Sequence, residues 1–334
     1  MATPTGPLTP KKYEMIILAE NKYMNLFEFN QIFPNEDTCN DYLKELRLKE
    51  GIVCKKCNSQ KFYWKKDRLM FECKACKSRH SFRSGTIFEN SNVPLSLWFK
   101  VIHLLSSTKK TFSALEIQRQ LKHKNYETIW DILHKIRWAM GERDKKYNLD
   151  TFIEIDEGFF KVVDKELSKQ QVNEEQKRGR GSINHLKVLV LIESTPVEVI
   201  EEKNKHKPQR KCGHLKMQVM EDLKAETINN TIKSTVNEGT NAITDKYRGY
   251  VKLKDLLKHE QINTSEIKEV HTVFPWVHSA IGNAKKIMIG FHHSVGKEYL
   301  QSYLNEFCYK FNRRYIPDLF ERVLVACIID KNNL

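Results

Sequence analysis

The chain has 334 residues, 40% hydrophobic and 29% charged, with 56 Lys and Arg against 42 Asp and Glu for a net charge of +14. That length suits about two domains, and that hydrophobic content excludes wholesale disorder. The basic excess points to a polyanionic partner, nucleic acid ahead of an anionic membrane surface, or to a merely basic soluble protein.

The N-terminal stretch MATPTGPLTPKKYEMI lacks the charged start and apolar run of a signal peptide. The longest aliphatic run, Val188 to Ile192, cannot span a bilayer. Cytoplasmic residence with no membrane partner is therefore expected, and eight cysteines there argue against a disulfide framework.

In chain order, a loose Pro- and Thr-rich start gives way to a helix that opens at Asn35-Glu-Asp-Thr38 and ends at Gly51. Cys54-Lys-Lys-Cys57 and Cys73-Lys-Ala-Cys76 follow, separated by 15 residues. Two such knuckles place four thiolates around one tetrahedral zinc, with a β-hairpin between them. Phe62, Tyr63, Trp64, Met70 and Phe71 supply its strand-like residues. The competing reading is four unrelated thiols. Lys55, Lys56, Lys61, Lys65, Lys66, Lys74, Lys77 and Arg79 stud this ribbon and favour contact with nucleic acid. Cys39, Cys212, Cys308 and Cys327 have no paired spacing and read as ordinary thiols.

Three helices come next. One starts at Pro94, a second runs from a Ser113 cap through Leu121, and a third spans Tyr126 to Met140. A short helix, a tight turn and a longer helix fit either helix-turn-helix or a plain three-helix bundle. In the first case Lys122, His123, Lys124, Lys135 and Arg137 would meet phosphates.

From Asp150 onward the pattern is strands, then helix, then strand. Thr151 to Phe160 reads as one strand, with Ile153 and Ile155 on one side, Glu154 and Asp156 on the other, and Gly158 interrupting it. A basic loop from Lys165 to Ser182 contains Lys177-Arg-Gly-Arg180. A strand from His185 to Glu193, a basic stretch from Glu201 to Lys211 and a strand from His214 to Met220 follow. A helix over Lys224 to Val236 and a strand over Asn241 to Asp245 complete an α/β domain with a mixed sheet. The segment Pro275 to Met288 reads as a helix. Val277, Ala280, Ile281, Ala284, Ile287 and Met288 line its apolar side, and Ser279, Asn283 and Lys286 the other.

Asp156 reads either as a water-facing residue or as a metal ligand, and Asp245 either as a helix cap or as a second ligand. Two carboxylates and the oxygen of Asn283, on three separate elements, are what two-metal phosphoryl transfer needs, with magnesium or manganese as the hard cation.

The chain resembles a bacterial insertion-sequence transposase with an N-terminal zinc ribbon and an RNase H-like, DDE-type catalytic domain. The carriers are Asn25-Leu-Phe-Glu-Phe-Asn30, the four zinc cysteines, Ser81-Phe-Arg-Ser-Gly-Thr-Ile-Phe88, Ile155-Asp-Glu157, Thr244-Asp245, Gly290-Phe-His-His293 and Asn305-Glu-Phe-Cys-Tyr-Lys-Phe-Asn-Arg-Arg314. The resemblance implies that Asp156 and Asp245 are the catalytic aspartates. It puts Asn283 where Glu is usual, as in an Asp-Asp-Asn branch, with Glu157 or His278 as alternative third ligands. It also implies that Lys285 or Lys286 holds a DNA phosphate, and that the chain acts as a homo-oligomer on transposon ends and target DNA, in the bacterial nucleoid. The implied organisation is a helical segment over 1–50, the ribbon over 51–90, the helix-turn-helix-like region over 91–149, the catalytic domain over 150–315 and a C-terminal helix over 316–334. The alternative is a DNA-binding relative without catalysis.

Overall fold

The computed structural model describes residues 24–163, 184–197, 209–264, 267, 273–292 and 295–328. The chain divides into two compact units, Met1–Arg143 with Tyr315–Leu334, and Asp144–Arg314. The expected basic loop over 165–182, most of the stretch over 201–211, and His293 lie outside the described residues.

In the first unit, helix α1 (Leu26–Ile32) starts with a capping box, Asn25 and Glu28 each accepting the other's backbone amide. Helix α2 (Glu36–Glu50) is capped by Asn35 and stops at Gly51, whose φ of 91° only glycine adopts readily. Strands β1 (Phe62–Lys65), β2 (Met70–Cys73) and β3 (Arg79–Ser81) form an antiparallel ribbon in that order. Helix α3 (Leu95–Ser106) begins after Pro94, which has no side-chain acceptor. Glu36 of α2 replaces the cap, accepting from Leu95 N at 2.7 Å and Ser96 N at 2.8 Å. Helices α4 (Ala114–Leu121) and α5 (Tyr126–Lys145) are joined by residues 122–125, with Lys122 left-handed at φ 49°. Gln118 holds that turn by donating to the carbonyls of His123 and Lys124. The C-terminal helix, here Leu319–Cys327, packs in this unit, where Phe320 joins Phe29, Phe33 and Phe99.

In the second unit a five-stranded sheet has the order β6-β5-β4-β7-β8: Arg210–Met220, His185–Pro196, Phe152–Lys161, Asn241–Asp245 and Lys258–Ile262. β5 is antiparallel to β4 and β6, whereas β4, β7 and β8 run parallel. This mixed arrangement is RNase H-like, as expected. Helix α6 (Ala225–Thr235) and a 3-10 turn (Arg248–Asp255) cover one face, burying Ile153, Ile155, Leu189 and Leu191. Helices α7 (Val277–Ile287) and α8 (Leu300–Asn312) cover the other, burying Phe160, Val188, Val190 and Ile192. Val188–Ile192 is thus apolar without alternation because both its faces are covered.

Three details depart from expectation. Gly158 does not interrupt β4: it pairs with Val188, and the strand runs on to Lys161. Its missing side chain makes room, since a Cβ there would stand 2.9 Å from the Phe160 ring and 3.4 Å from Ile281. β6 begins at Arg210, four residues before His214, after a register shift between Ile192 and Ser194. The edge strand β8, Lys-His-Glu-Gln-Ile, has no apolar alternation to announce it. Among the described residues no helix is long and apolar enough to cross a membrane.

Candidate metal centres

The four ribbon cysteines converge, every pair of sulfurs lying within 4.8 Å. Cys54 Sγ is 3.6 Å from Cys76 Sγ, and Cys57 Sγ is 3.5 Å from Cys73 Sγ. Tetrahedral zinc with bonds of about 2.3 Å separates its sulfurs by about 3.8 Å, so the cage fits that ion. The Cys76 and Ala75 amides hold the Cys73 thiol down to about 6, so it offers a thiolate at neutral pH. His80, which spacing did not single out, stands with Nε2 3.4 Å from Cys54 Sγ and 3.1 Å from Ser78 Oγ. A ring nitrogen there is in the place from which outer groups orient metal ligands.

In the second unit, Asp156 lies within β4 and Asp245 ends β7. Glu154 pairs with Ile243 across these parallel strands. The pairing ends there: Asp156 and Asp245 each lie two residues beyond the last paired residues, and both carboxylates act on the His278 ring. Both face the α7 side, sharing the parity of Phe160 and Ile243, which lie in that core. Asp245 Oδ1 accepts from Tyr247 N at 3.0 Å, a turn contact and not the helix cap of its competing reading, since Tyr247 itself stands at the start of the 3-10 turn. Asp156 Oδ2 stands 3.1 Å from His278 Nε2. That contact raises the His278 pKa against the opposing effect of burial, and Glu154 and Asp245 add to it.

Helix α7 is set down along β4, running the same way. Glu154, 0% exposed, accepts from Trp276 N at 3.0 Å and Val277 N at 2.9 Å, satisfying amides of the first turn. Burial pushes its carboxyl above the usual range, opposed by Ser194, by these amides and by Arg210. Next, His278 meets Asp156, Ile281 lies over Gly158, and Lys285 Nζ reaches 5.8 Å from the Phe160 ring centroid. Ser279, Asn283 and Lys286 are exposed, as expected for the polar side. Asn283, however, is five residues beyond His278, about 140° further round the helix, and so is not the side chain that α7 turns toward Asp156.

Glu157 points to the opposite face of the sheet, where it accepts from the Tyr250 hydroxyl at 2.8 Å. It therefore does not join Asp156. Lys122, Lys124 and Lys135 are exposed, but Arg137 is only 1% exposed, on the buried stripe with Leu133, Ile136 and Met140. A guanidinium held inside the unit cannot meet a phosphate, which corrects the grouping of Arg137 with the surface lysines. Arg137 follows Leu133 at i+4 and precedes Met140 at i+3, so the apolar spacing already marked it as inward-facing.

Residues 148–312 match the family described as ISXO2-like transposase domain, and residues 34–79 match the one described as transposase zinc-ribbon domain. An uncharacterized protein in the transposable element ISH50 of Halobacterium salinarum is 23% identical over 166 residues, 48% of this chain and 55% of that protein. The chain thus spans about half the length of this curated relative. A solved structure, that of a pre-cleavage Mos1 transpososome, matches over 67% of this chain and 76% of that one, at 9% identity and a TM-score of 0.24.

Proposed function

The chain belongs to the insertion-sequence transposases that join an N-terminal zinc ribbon to a DDE domain, and on that premise we propose that it binds the inverted repeats of such an element, cuts DNA there and joins the freed ends to a target. The observation that supports the reading is that Asp156 and Asp245 follow on from paired residues of adjacent parallel strands, on the α7 face of the sheet, and that both carboxylates act on His278. When bound, magnesium or manganese would activate the attacking oxygen and stabilise the leaving one. Asp156 and Asp245 would hold these ions, with a third donor from α7.

The chain's other residues prepare the substrate. Glu154 fixes α7, while Lys285 or Lys286 holds a DNA phosphate. Lys122, Lys124 and Lys135 in the helix-turn-helix-like region, with the basic ribbon, engage the element's ends. Water attacks the phosphodiester in line, its oxygen bonding to phosphorus as the 3′-oxygen leaves and takes a proton. The freed 3′-hydroxyl then attacks target DNA, with no bond to protein at any stage. Copies of the chain act together on paired ends. The ribbon, the region over 91–149 and the catalytic domain over 150–315 divide this work.

A cleavage and strand-transfer assay on end-containing DNA tests the reading. Asp156→Ala and Asp245→Ala are each expected to lower both activities by about a hundredfold or more. Full activity in either variant overturns it. A second reading, a DNA-binding relative without catalysis, is favoured by the outward turn of Asn283. It predicts tight end binding and no metal-dependent nicking by the wild type.

A further inference from the structure

We propose that a basic cleft past the carboxyl end of β7, walled by Lys187, Lys224 and Arg248, binds a backbone phosphate of the DNA strand a few nucleotides from the bond that reacts. This deepens the transposase reading above and rests on it.

Three observations carry it. First, the cleft has a volume of about 470 Å³, and its walls include Lys187, Asp222, Lys224, Tyr247, Arg248 and Gly249. Pockets that take small ligands run from roughly 300 to 1,000 Å³, so there is room for the sugar and phosphate of a nucleotide.

Second, the charge of the cleft is positive and partly uncommitted. Asp222 is engaged locally: Oδ1 accepts from Lys224 N at 3.0 Å and Thr227 Oγ1 at 2.7 Å, and Oδ2 is 3.1 Å from Lys224 Nζ. Among the described residues no carboxylate pairs with Lys187 or Arg248. Lys187 is the more telling of the two. The alternation that sends Leu189 and Leu191 into the core under α6 puts Lys187 on the same face, half-buried, in register with Phe159 and Met220 of the flanking strands. An ammonium beside apolar groups is costly unless an anion offsets it. Arg248 adds a forked donor suited to phosphate oxygens.

Third, the walls are held in place next to the second aspartate. Tyr247 Oη donates to Leu223 O at 3.3 Å, and Gly249 lies so close to that carbonyl that a Cβ would stand 2.8 Å from it. The turn that bears Arg248 is thereby fastened to the residues that lead into Lys224. The chain enters this turn from Asp245, whose Oδ1 accepts from Tyr247 N. Arg248 follows Asp245 by three residues, at most about 11 Å of chain, which matches about three nucleotides of duplex rise. Asp245 faces the α7 side of the sheet and Lys187 the α6 side. A strand with its reacting phosphate at the carboxylates would therefore cross the end of β7 and lay a neighbouring phosphate in the cleft.

The test uses the full zinc-loaded chain and a labelled duplex carrying the element's end, titrated at several salt concentrations. Arg248→Ala and Lys187→Ala are each expected to weaken binding about tenfold. Each should also make the slope of log K against log salt shallower by about 0.9, a change that a merely structural role does not produce. Arg248→Lys keeps the charge and should keep the slope. Lys252→Ala, exposed on the same turn but outside the cleft, should alter neither. Duplexes with single neutral methylphosphonate linkages locate the contact: one linkage near the cut should weaken the wild type and have no further effect on Arg248→Ala. Arg248 is exposed, so its loss leaves the fold intact, and thermal unfolding checks this. An unchanged slope in Arg248→Ala or Lys187→Ala overturns the proposal. So does an equal loss in Lys252→Ala, the mark of diffuse surface charge. Metal-dependent nicking separates the two levels. If the wild type nicks end DNA while the slopes stay fixed, only the cleft assignment fails. If the slopes shift as expected but the wild type never nicks, the catalytic reading fails and the cleft stands as a phosphate site.

Discussion

Glu154 Oε2 accepts a hydrogen bond from the backbone amide of Val277 at 2.9 Å, tying the first turn of α7 to the strand that carries Asp156. A carboxylate with no exposure does here what a capping side chain usually does, because Trp276 at the N-cap offers no acceptor. The bond also sets where His278 stands, one residue further along.

Glu154→Ala leaves two buried amides without their acceptor, and unfolding should cost about 2–4 kcal/mol less than in the wild type. Glu154→Gln retains an acceptor oxygen and should lose less. Denaturant unfolding checks the order of the three proteins. Nicking activity is expected to fall in the same order, because α7 loses its anchor.

Gly158→Ala puts a methyl 2.9 Å from Phe160 and 3.4 Å from Ile281. Both neighbours belong to the packed core under α7, so the expected loss is about 1–3 kcal/mol. Thermal unfolding measures it. An unchanged midpoint would mean that α7 does not press on β4 as closely as described.

Cys73→Ser removes one of four converging sulfurs. The wild type should carry one zinc per chain and the variant none, with the ribbon unfolded and the Asp144–Arg314 unit still folded. Metal analysis with limited proteolysis reads both, and equal zinc content in the two proteins would refute the site.

Asn312→Ala strips the outer edge of the sheet. Asn312 accepts from Leu215 N at 2.7 Å, donates to Leu215 O at 3.0 Å and donates to Asp144 at 3.2 Å. Gln301 does the same work further along β6, at Val219 N and Met217 O. These side chains stand in for a sixth strand. Losing one is expected to cost about 1–3 kcal/mol and to raise aggregation, since an uncovered edge pairs with other chains. Unfolding and light scattering follow the two effects.

His214 and Glu193 give a pH signature. The Glu193 contact raises the His214 pKa above its usual 6.5, so this contribution is complete below 6.5 and is lost as pH rises through the folded value. Burial alone would raise Glu193, but His214 and the amides of His214 and Asp150 outweigh it and lower Glu193 below its usual 4.5. That contribution is complete above 4.5 and is lost as pH falls through the folded value. The stability difference between wild type and His214→Ala should therefore be largest between about pH 4.5 and 6.5 and shrink toward pH 8. A difference that grows with pH would contradict the pairing.

Much of this was open to a reader of the sequence. The zinc cage depends on two short knuckles whose geometry is local, so spacing sufficed. Helix starts at Asn35 and Ser113 and the β4 alternation were legible because caps and parity act over a few residues. β8 was hidden because an edge strand with a polar sequence shows no period. Glu154 was placed on the correct side of its strand, but its partners are 122 and 123 residues away. Asn283 falls on the polar side, as expected, whereas His278, the α7 side chain that meets Asp156, lies at the margin of the apolar stripe beside Val277 and Ile281. The sheet is underneath the helix, so a side chain opposite the core points to solvent.

The sequence by itself determined most of the elements and the convergence of the four cysteines, and made Asp156 and Asp245 candidates, because each is written in residue types at short spacing. Only the tertiary structure decided that β7 lies beside β4, and which side chain of α7 comes to rest against Asp156. Strand order and the rotation of a packed helix are settled by contacts between residues about a hundred positions apart, and no local pattern encodes them.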